Sequence, residues 1–332
     1  MPAVNRTPDD RAGEQYRAMA EFRFSYNVLG IRSLTEFTDT CRRAESLGYD
    51  TVFAADHLGS PSPFPVLVAA AQATERLRVG TLVLNTGFWN PALLARDIAT
   101  TDLLTGGRLE VGLGSGHMKW EFEQAGLPWQ SFGERAERLR STIDELAQHF
   151  SGEGFEQQRE RNAELDLPVL RPVQRTGFAG SGPPLLVGGT GDRVLRIAAE
   201  TADIIGVAGV RQLPGHPPGT FRLCTAEEAD ERVAFTRDAA GSRADQVEWQ
   251  VLVQAVVPTD DRRATAAELL PRFGDTMTLD QILDTPFLLI GTPEQMADQI
   301  RRNRSRYGFT HCTVHGSFME PFAAVLPHLI PN

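Results

Sequence analysis

The stretch PPLLVGGTGDRVLRIAAETADIIGV, residues 183–207, holds a short apolar run, a glycine-rich turn, an amphipathic segment and a second apolar run. Leu185–Val187 and Ile204–Val207 have the length and aliphatic content of strands buried on both faces, and Asp192–Thr201 between them carries apolar residues at helical spacing. Two strands joined through a helix form a βαβ unit. Such a crossover implies parallel pairing, because a chain that returns through a helix re-enters the sheet in the same direction.

The same alternation extends outward from this unit. Toward the N-terminus it reads as a strand over Phe22–Val28, a helix over Leu34–Leu47, a strand over Thr51–Ala55, a helix over Phe64–Glu75 and a strand over Arg78–Leu84. Asn90-Pro91 then opens a helix to Leu104, with proline at the first helical position where a missing N–H costs nothing. A strand over Leu109–Leu113 follows, and a long helix over Ser131–Phe150 repeats Ala136, Leu139, Ile143, Leu146 and Phe150 on one face. The polar stretch Ser151–Asp166 offers almost no core residues. Toward the C-terminus come helices over Ala226–Ala239, Pro293–Tyr307 and Met319–Leu329, and strands over Trp249–Val257 and around Thr313-Val314. Eight strand–helix repeats predict an α/β fold, a (β/α)8 TIM barrel in a single domain over residues 21–332, with residues 1–20 a flexible N-terminal leader. A doubly wound sheet with a small second domain is the rival. The barrel is favoured because closure leaves no edge.

Composition narrows the function. A net charge of −10 and no basic run argue against a nucleic-acid partner. Cys41, Cys224 and Cys312 lie far apart with no CxxC spacing, which suggests a reducing, cytoplasmic setting and neither a zinc site nor a disulfide framework. No uncharged apolar stretch approaches the length of a membrane span, and the N-terminus has no secretory apolar core.

In a parallel barrel the reactive groups gather where strands end and the following loops begin. The second strand ends in Asp56-His57, a carboxylate and an imidazole able to bind a polar ring and handle a proton near neutral pH. The fourth ends in Gly112-Leu-Gly114-Ser115-Gly116-His117, which is not GxGxxG; its glycines allow a planar ligand near the backbone at Ser115 and Gly116, with His117 at the rim. The fifth ends in Gly188-Gly189-Thr190-Gly191 at a helix start, where free N–H groups and a hydroxyl suit a phosphate. Phe88 and Trp120, from the aromatic clusters after the third and fourth strands, are candidates for a substrate pocket. Each feature also has a bland reading: Asp56 as a loop cap with a surface His57, a tight turn at the glycines, Thr190 or Asp192 as N-cap, and ordinary aromatic packing. His311 and His315, about 13 Å apart along one strand, would not share a metal. HExxH, GxSxG and Walker motifs are absent.

The segments AESLGYDTVFAADHL (44–58), RVGTLVLN (78–85), NPALLARDIATTDLLTGGRLEVGLGSG (90–116), GERAERLRSTIDEL (133–146), 183–207 and GTPEQMADQI (291–300) occur in an order that resembles the luciferase-like monooxygenase superfamily, in particular its actinobacterial F420-dependent oxidoreductases. The resemblance implies a bacterial-luciferase-like barrel with a flavin or deazaflavin ring in its mouth. It also implies a non-proline cis peptide at Thr81-Leu82 or Leu82-Val83. Cofactor contacts would fall on Asp56, Thr81, Leu82, Asn85, Ser115, Gly116, Gly188, Gly189, Thr190 and Gly191. Asp56 would bond the ring or fix the His57 side chain.

One departure stands out. The sugar-phosphate dehydrogenases of that group carry a glutamate proton donor where this chain has His117, so their sugar-oxidising chemistry is not carried over. The segment between strands seven and eight is also shortened, to about 267–284. The function implied is hydride transfer between coenzyme F420 and a small organic molecule, such as a secondary metabolite, with His57 or His117 as catalytic proton carrier. Arg193 and Arg196 are candidates for the oligoglutamate tail, and a homodimer is implied. One alternative is a reduced-FMN monooxygenase using O₂ and a separate reductase. The other is a non-catalytic flavin-binding barrel.

Overall fold

A computed structural model describes residues 22–152 and 156–330; the leader assigned to residues 1–20 lies outside them. Eight strands form the barrel: β1 Arg23–Val28, β2 Thr51–Ala54, β3 Arg78–Thr81, β4 Leu109–Gly114, β5 Leu185–Gly189, β6 Ile204–Val207, β7 Glu248–Val253 and β8 Phe309–His315. They run parallel in the order β3-β2-β1-β8-β7-β6-β5-β4, and pairing of Val79 with Leu109 closes the ring. The single-domain (β/α)8 barrel is therefore the observed architecture. Among the described residues no helix is long and apolar enough to cross a membrane.

The helices form where capping and periodicity agree. Leu34–Leu47 starts with Ser33 Oγ accepting from the Glu36 amide at 3.1 Å and stops at Gly48, whose φ of 94° is open to glycine at little cost. Helix Phe132–Ser151 starts with a reciprocal Ser131–Glu134 capping box. Their apolar faces, with those of Pro63–Ala73, Pro91–Leu104 and Pro293–Tyr307, pack on the outside of the strands to form the main core.

Alternation along the strands fills the barrel in layers. At the N-terminal end Glu110 bonds Arg23 at 2.5 Å and Arg78 at 2.6 Å, and Arg23 also reaches Glu248 at 2.6 Å. Above these charges Ser25 meets His311 Nε2 at 2.8 Å and Thr313 at 2.6 Å, and Gln250 donates to Thr313 at 2.7 Å. Then come Phe53, Leu186 and Ile204, with half-buried Leu82 and Val83 on top of them. The mouth opens at that level.

Several expected elements differ. The strand expected over Arg78–Leu84 breaks after Thr81 at a cis peptide between Leu82 and Val83 and resumes as Leu84–Asn85, paired with Leu113–Gly114. The strand expected over Trp249–Val257 divides at Gln254. Its second half, Ala255–Pro258, leaves the barrel to pair with Leu288–Gly291. The helix expected over Met319–Leu329 is Met319–Ala323 followed by a 3-10 turn, Leu326–His328; Pro327 has no N–H to continue an α-helical ladder. The segment between β7 and β8 holds short helices at Arg262–Leu269 and Leu279–Asp284. A hairpin of Val210–Gln212 and Phe221–Leu223 was not anticipated, because three-residue strands give no periodicity to read.

Candidate active site

The C-terminal mouth brings together residues from the ends of the first five strands and of β8. At the end of β2, Asp56 Oδ2 accepts from Trp89 Nε1 at 2.8 Å and from the Asn85 amide at 3.1 Å. Burial pushes this carboxyl above its ordinary range, while the two donors pull the other way. Asp56 thus ties the end of β2 to the loop after β3. Its hydrogen bonds among the described residues go to that loop, while His57 Nδ1 bonds Glu121.

His57 is held by a residue the sequence reading passed over. Its Nδ1 lies 2.9 Å from Oε1 of Glu121, which also accepts from the Leu58 amide at 3.1 Å. Glu121 sits on the short helix Lys119–Gln124 and is 2% exposed. It stands 64 positions from His57, between Trp120 and Phe122, and the only sequence signal was one acid inside an aromatic cluster.

His117 faces His57 edge to face, with ring centroids 5.5 Å apart. Its other neighbour is Phe221 of the hairpin, at 5.3 Å. Partial desolvation in the concave mouth holds the His117 imidazole below its ordinary value, with help from nearby His57 and Arg135, even though the residue is exposed. Arg135 lies 3.8 Å above the Trp129 ring and donates to the Gly116 carbonyl at 3.3 Å. Arg138 reaches the carbonyls of Thr86 and Trp89, each at 2.9 Å. Helix Phe132–Ser151 therefore braces the loops after β3 and β4.

The floor of the mouth is shaped by close backbone approach. Thr81 is fully buried, its hydroxyl donating to the Gly112 carbonyl at 2.9 Å and accepting from the Gly112 amide at 2.8 Å. A Cβ on Gly112 would lie 2.0 Å from the Thr81 carbonyl oxygen, so only glycine fits opposite the cis bond. Leu82 and Val83 are left half-exposed as an apolar step. Asn85 packs over Gly116 and accepts from the Gly87 amide at 3.0 Å, while its Nδ2, buried, has no partner among the described residues. Gly188 and Gly206 sit side by side on β5 and β6, with the Leu186 and Gln250 side chains close beside them.

Gly191 is the N-cap of helix Asp192–Thr201 and supplies no side-chain cap, so neither Thr190 nor Asp192 fills that role. Beside it a cleft of about 370 Å³ is lined by Thr190, Asp192, Arg211, Arg222 and Arg232. These arginines are paired with Glu228, Asp192 and Glu231. Arg196 lies instead over the Phe235 ring at 5.0 Å, and Arg193 is exposed beside Gly133.

Of the pocket aromatics, Phe88 contacts Phe122 at 5.3 Å, but Trp120 is 52% exposed on the outer side of its helix. Ser115 is half-buried after β4. His315, treated in the sequence only as a failed metal ligand, reaches the rim at the end of β8. There its Nδ1 meets Asn27 at 3.1 Å and its Nε2 meets Gln254 at 3.2 Å, and burial lowers its pKa. Among the described residues no three His, Cys, Asp or Glu groups assemble into a metal cluster.

A family model described as luciferase-like monooxygenase matches residues 11–216, more than half of the chain. The F420-dependent glucose-6-phosphate dehydrogenase of Kribbella flavida is 28% identical over 320 residues, covering 91% of each protein. Among solved structures, an F420-dependent secondary alcohol dehydrogenase in complex with an F420-acetone adduct superposes with a TM-score of 0.67 at 18% identity, covering 94% of this chain and 99% of that one. The FMN-bound oxygenating component of 3,6-diketocamphane monooxygenase from Pseudomonas putida gives a TM-score of 0.67 at 14% identity, covering 95% and 100%.

Proposed function

This chain belongs to the luciferase-like monooxygenase family, and from that premise we propose that it is an F420-dependent oxidoreductase acting on a small organic substrate. The observation that carries the reading is the mouth itself. A half-exposed apolar step at Leu82-Val83 lies beside an unpartnered buried donor, Asn85 Nδ2, and within the same rim as a pair of histidines.

The residues present fit a tricyclic ring with a phosphate tail. Leu82 and Val83 would support the ring face, and Asn85 Nδ2 would meet a polar ring atom. The chain would run past Gly188 and Gly189 toward the uncapped N-terminus at Gly191, where backbone N–H groups favour a phosphate. When bound, F420 supplies a two-electron hydride donor or acceptor. His57 holds a proton at one ring nitrogen and exchanges one at the other. Neutral His117 and Phe221 wall the substrate side of the mouth. A histidine at position 117 instead of an acid, next to an aromatic wall, favours an organic substrate over a sugar phosphate. We place the enzyme in the cytoplasm as a homodimer, in line with the resemblance and the sparse, buried cysteines.

Equilibrium binding of F420 and of FMN to the purified protein tests the reading. Micromolar affinity for F420 with negligible affinity for FMN supports it. The reverse result would make the chain the oxygenating half of a flavin monooxygenase fed by a reductase. Binding of either without turnover would indicate a non-catalytic barrel.

A further inference from the structure

We infer that Glu121 is the positioning residue of the proton-handling histidine, locking His57 in the tautomer that carries its hydrogen on Nδ1 and offers Nε2 to the substrate. The inference rests on the reading of the mouth as a hydride-transfer site, but its core is a property of the protein without cofactor.

Three observations carry it. First, the geometry is that of a directed bond: Glu121 Oε1 lies 2.9 Å from His57 Nδ1 and 3.1 Å from the Leu58 amide. One carboxylate oxygen accepting two N–H groups from adjacent residues fixes its own position before it fixes the ring. Second, Glu121 is 2% exposed and His57 is more than a third exposed. The carboxylate is part of the wall and the imidazole is the reachable group. Oε1 already acts as an acceptor toward the Leu58 amide, and the same role toward the ring makes Nδ1 the donor. Third, His57 Nε2 has no hydrogen-bond partner among the described residues, and the ring edge meets His117 at a centroid distance of 5.5 Å. The charged and titratable groups facing His57 are Asp56 from its own loop, Glu121 from the helix after β4, and His117 from the end of β4. Asp56 is engaged with Trp89 and Asn85, which leaves Glu121 as the group that orients the ring.

The consequence is a division of labour. Nε2 would take the proton when a substrate hydroxyl is oxidised and return it when a carbonyl is reduced, F420 accepting or supplying the accompanying hydride when bound. The Glu121 carboxylate neutralises the imidazolium formed in between. Position 117 then needs no acid, because the negative charge enters the site from position 121.

The test is nitrogen-15 NMR of histidine-labelled, cofactor-free protein near pH 8, with the His57 signals identified by their loss in His57→Asn. In the native protein the proton is expected on Nδ1. Glu121→Gln keeps an acceptor oxygen and is expected to keep that tautomer. Glu121→Met removes the acceptor and is expected to move the proton predominantly to Nε2. A native protein with its proton on Nε2 overturns the inference even if Glu121→Met does not fold, and so does an unchanged tautomer in a folded Glu121→Met. Parallel titration of native protein with F420 separates the two readings, because a native Nδ1–H tautomer without F420 binding sinks the cofactor assignment alone.

Discussion

His57 and His117 meet at the rim with their ring planes at 85°, one secured by a buried carboxylate and the other packed against an aromatic ring. Two histidines 60 positions apart thus occupy opposite environments within a single contact. One has a charge partner and the other has only desolvation and a neighbouring cation.

The first prediction concerns His117 and pH. Its folded pKa of about 4 lies below the ordinary 6.5, so between those values the unfolded chain binds a proton that the folded protein does not. Its contribution to stability is therefore fully present above about pH 6.5 and declines as pH falls toward 4. His117→Asn should flatten that part of the stability curve, read by urea unfolding at a series of pH values. An unchanged slope would mean that the ring titrates normally.

Glu110 tests the plug at the closed end of the barrel. Arg23 and Arg78 hold its carboxyl at about 2 despite complete burial, so its stabilisation is present above the ordinary 4.5 and is lost as pH falls through about 2. Glu110→Gln removes a counter-charge of both guanidinium groups and should cost about 3–5 kcal/mol in chemical denaturation at neutral pH. A cost below about 1 kcal/mol would show that water reaches the plug.

Gly112→Ala places a methyl group 2.0 Å from the Thr81 carbonyl, against backbone that has nowhere to move. The expected loss is about 3 kcal/mol, accompanied by loss of cofactor binding, because the Leu82-Val83 step must shift. Thermal unfolding and F420 titration of the same sample report both.

Gly188→Ala separates binding from folding. Its added methyl would meet the nearest atom, the Gly206 carbonyl oxygen, at an ordinary 3.5 Å, so stability should change by no more than about 1 kcal/mol. The added methyl would nevertheless crowd the cofactor's path past β5, and F420 affinity should fall at least about tenfold, roughly 1.4 kcal/mol. Unchanged affinity would move the phosphate path away from β5.

Read alone, the amino-acid sequence determined the barrel, because each unit carries its own signal. Helix Leu34–Leu47 begins at a serine cap and ends at a glycine, and strands such as Ile204–Val207 are continuous apolar runs between polar breaks. The sequence also marked the strand ends, since Asp56-His57, the glycines before His117 and Gly188–Gly191 all lie at or just beyond the C-terminal ends of strands. Tertiary structure decided which atoms meet. Glu121, Phe221 and His315 reach the rim from a short helix, a hairpin and the last strand, and no local periodicity encodes such distances. It also decided that Asp56 serves the loop after β3 and that Glu121 serves His57, a choice invisible when both acids are simply near a histidine. The physical reason is range. Capping and hydrophobic periodicity act over a few residues and are written in the chain, whereas hydrogen-bond partners at the mouth are chosen only after eight strands have closed and brought their ends together.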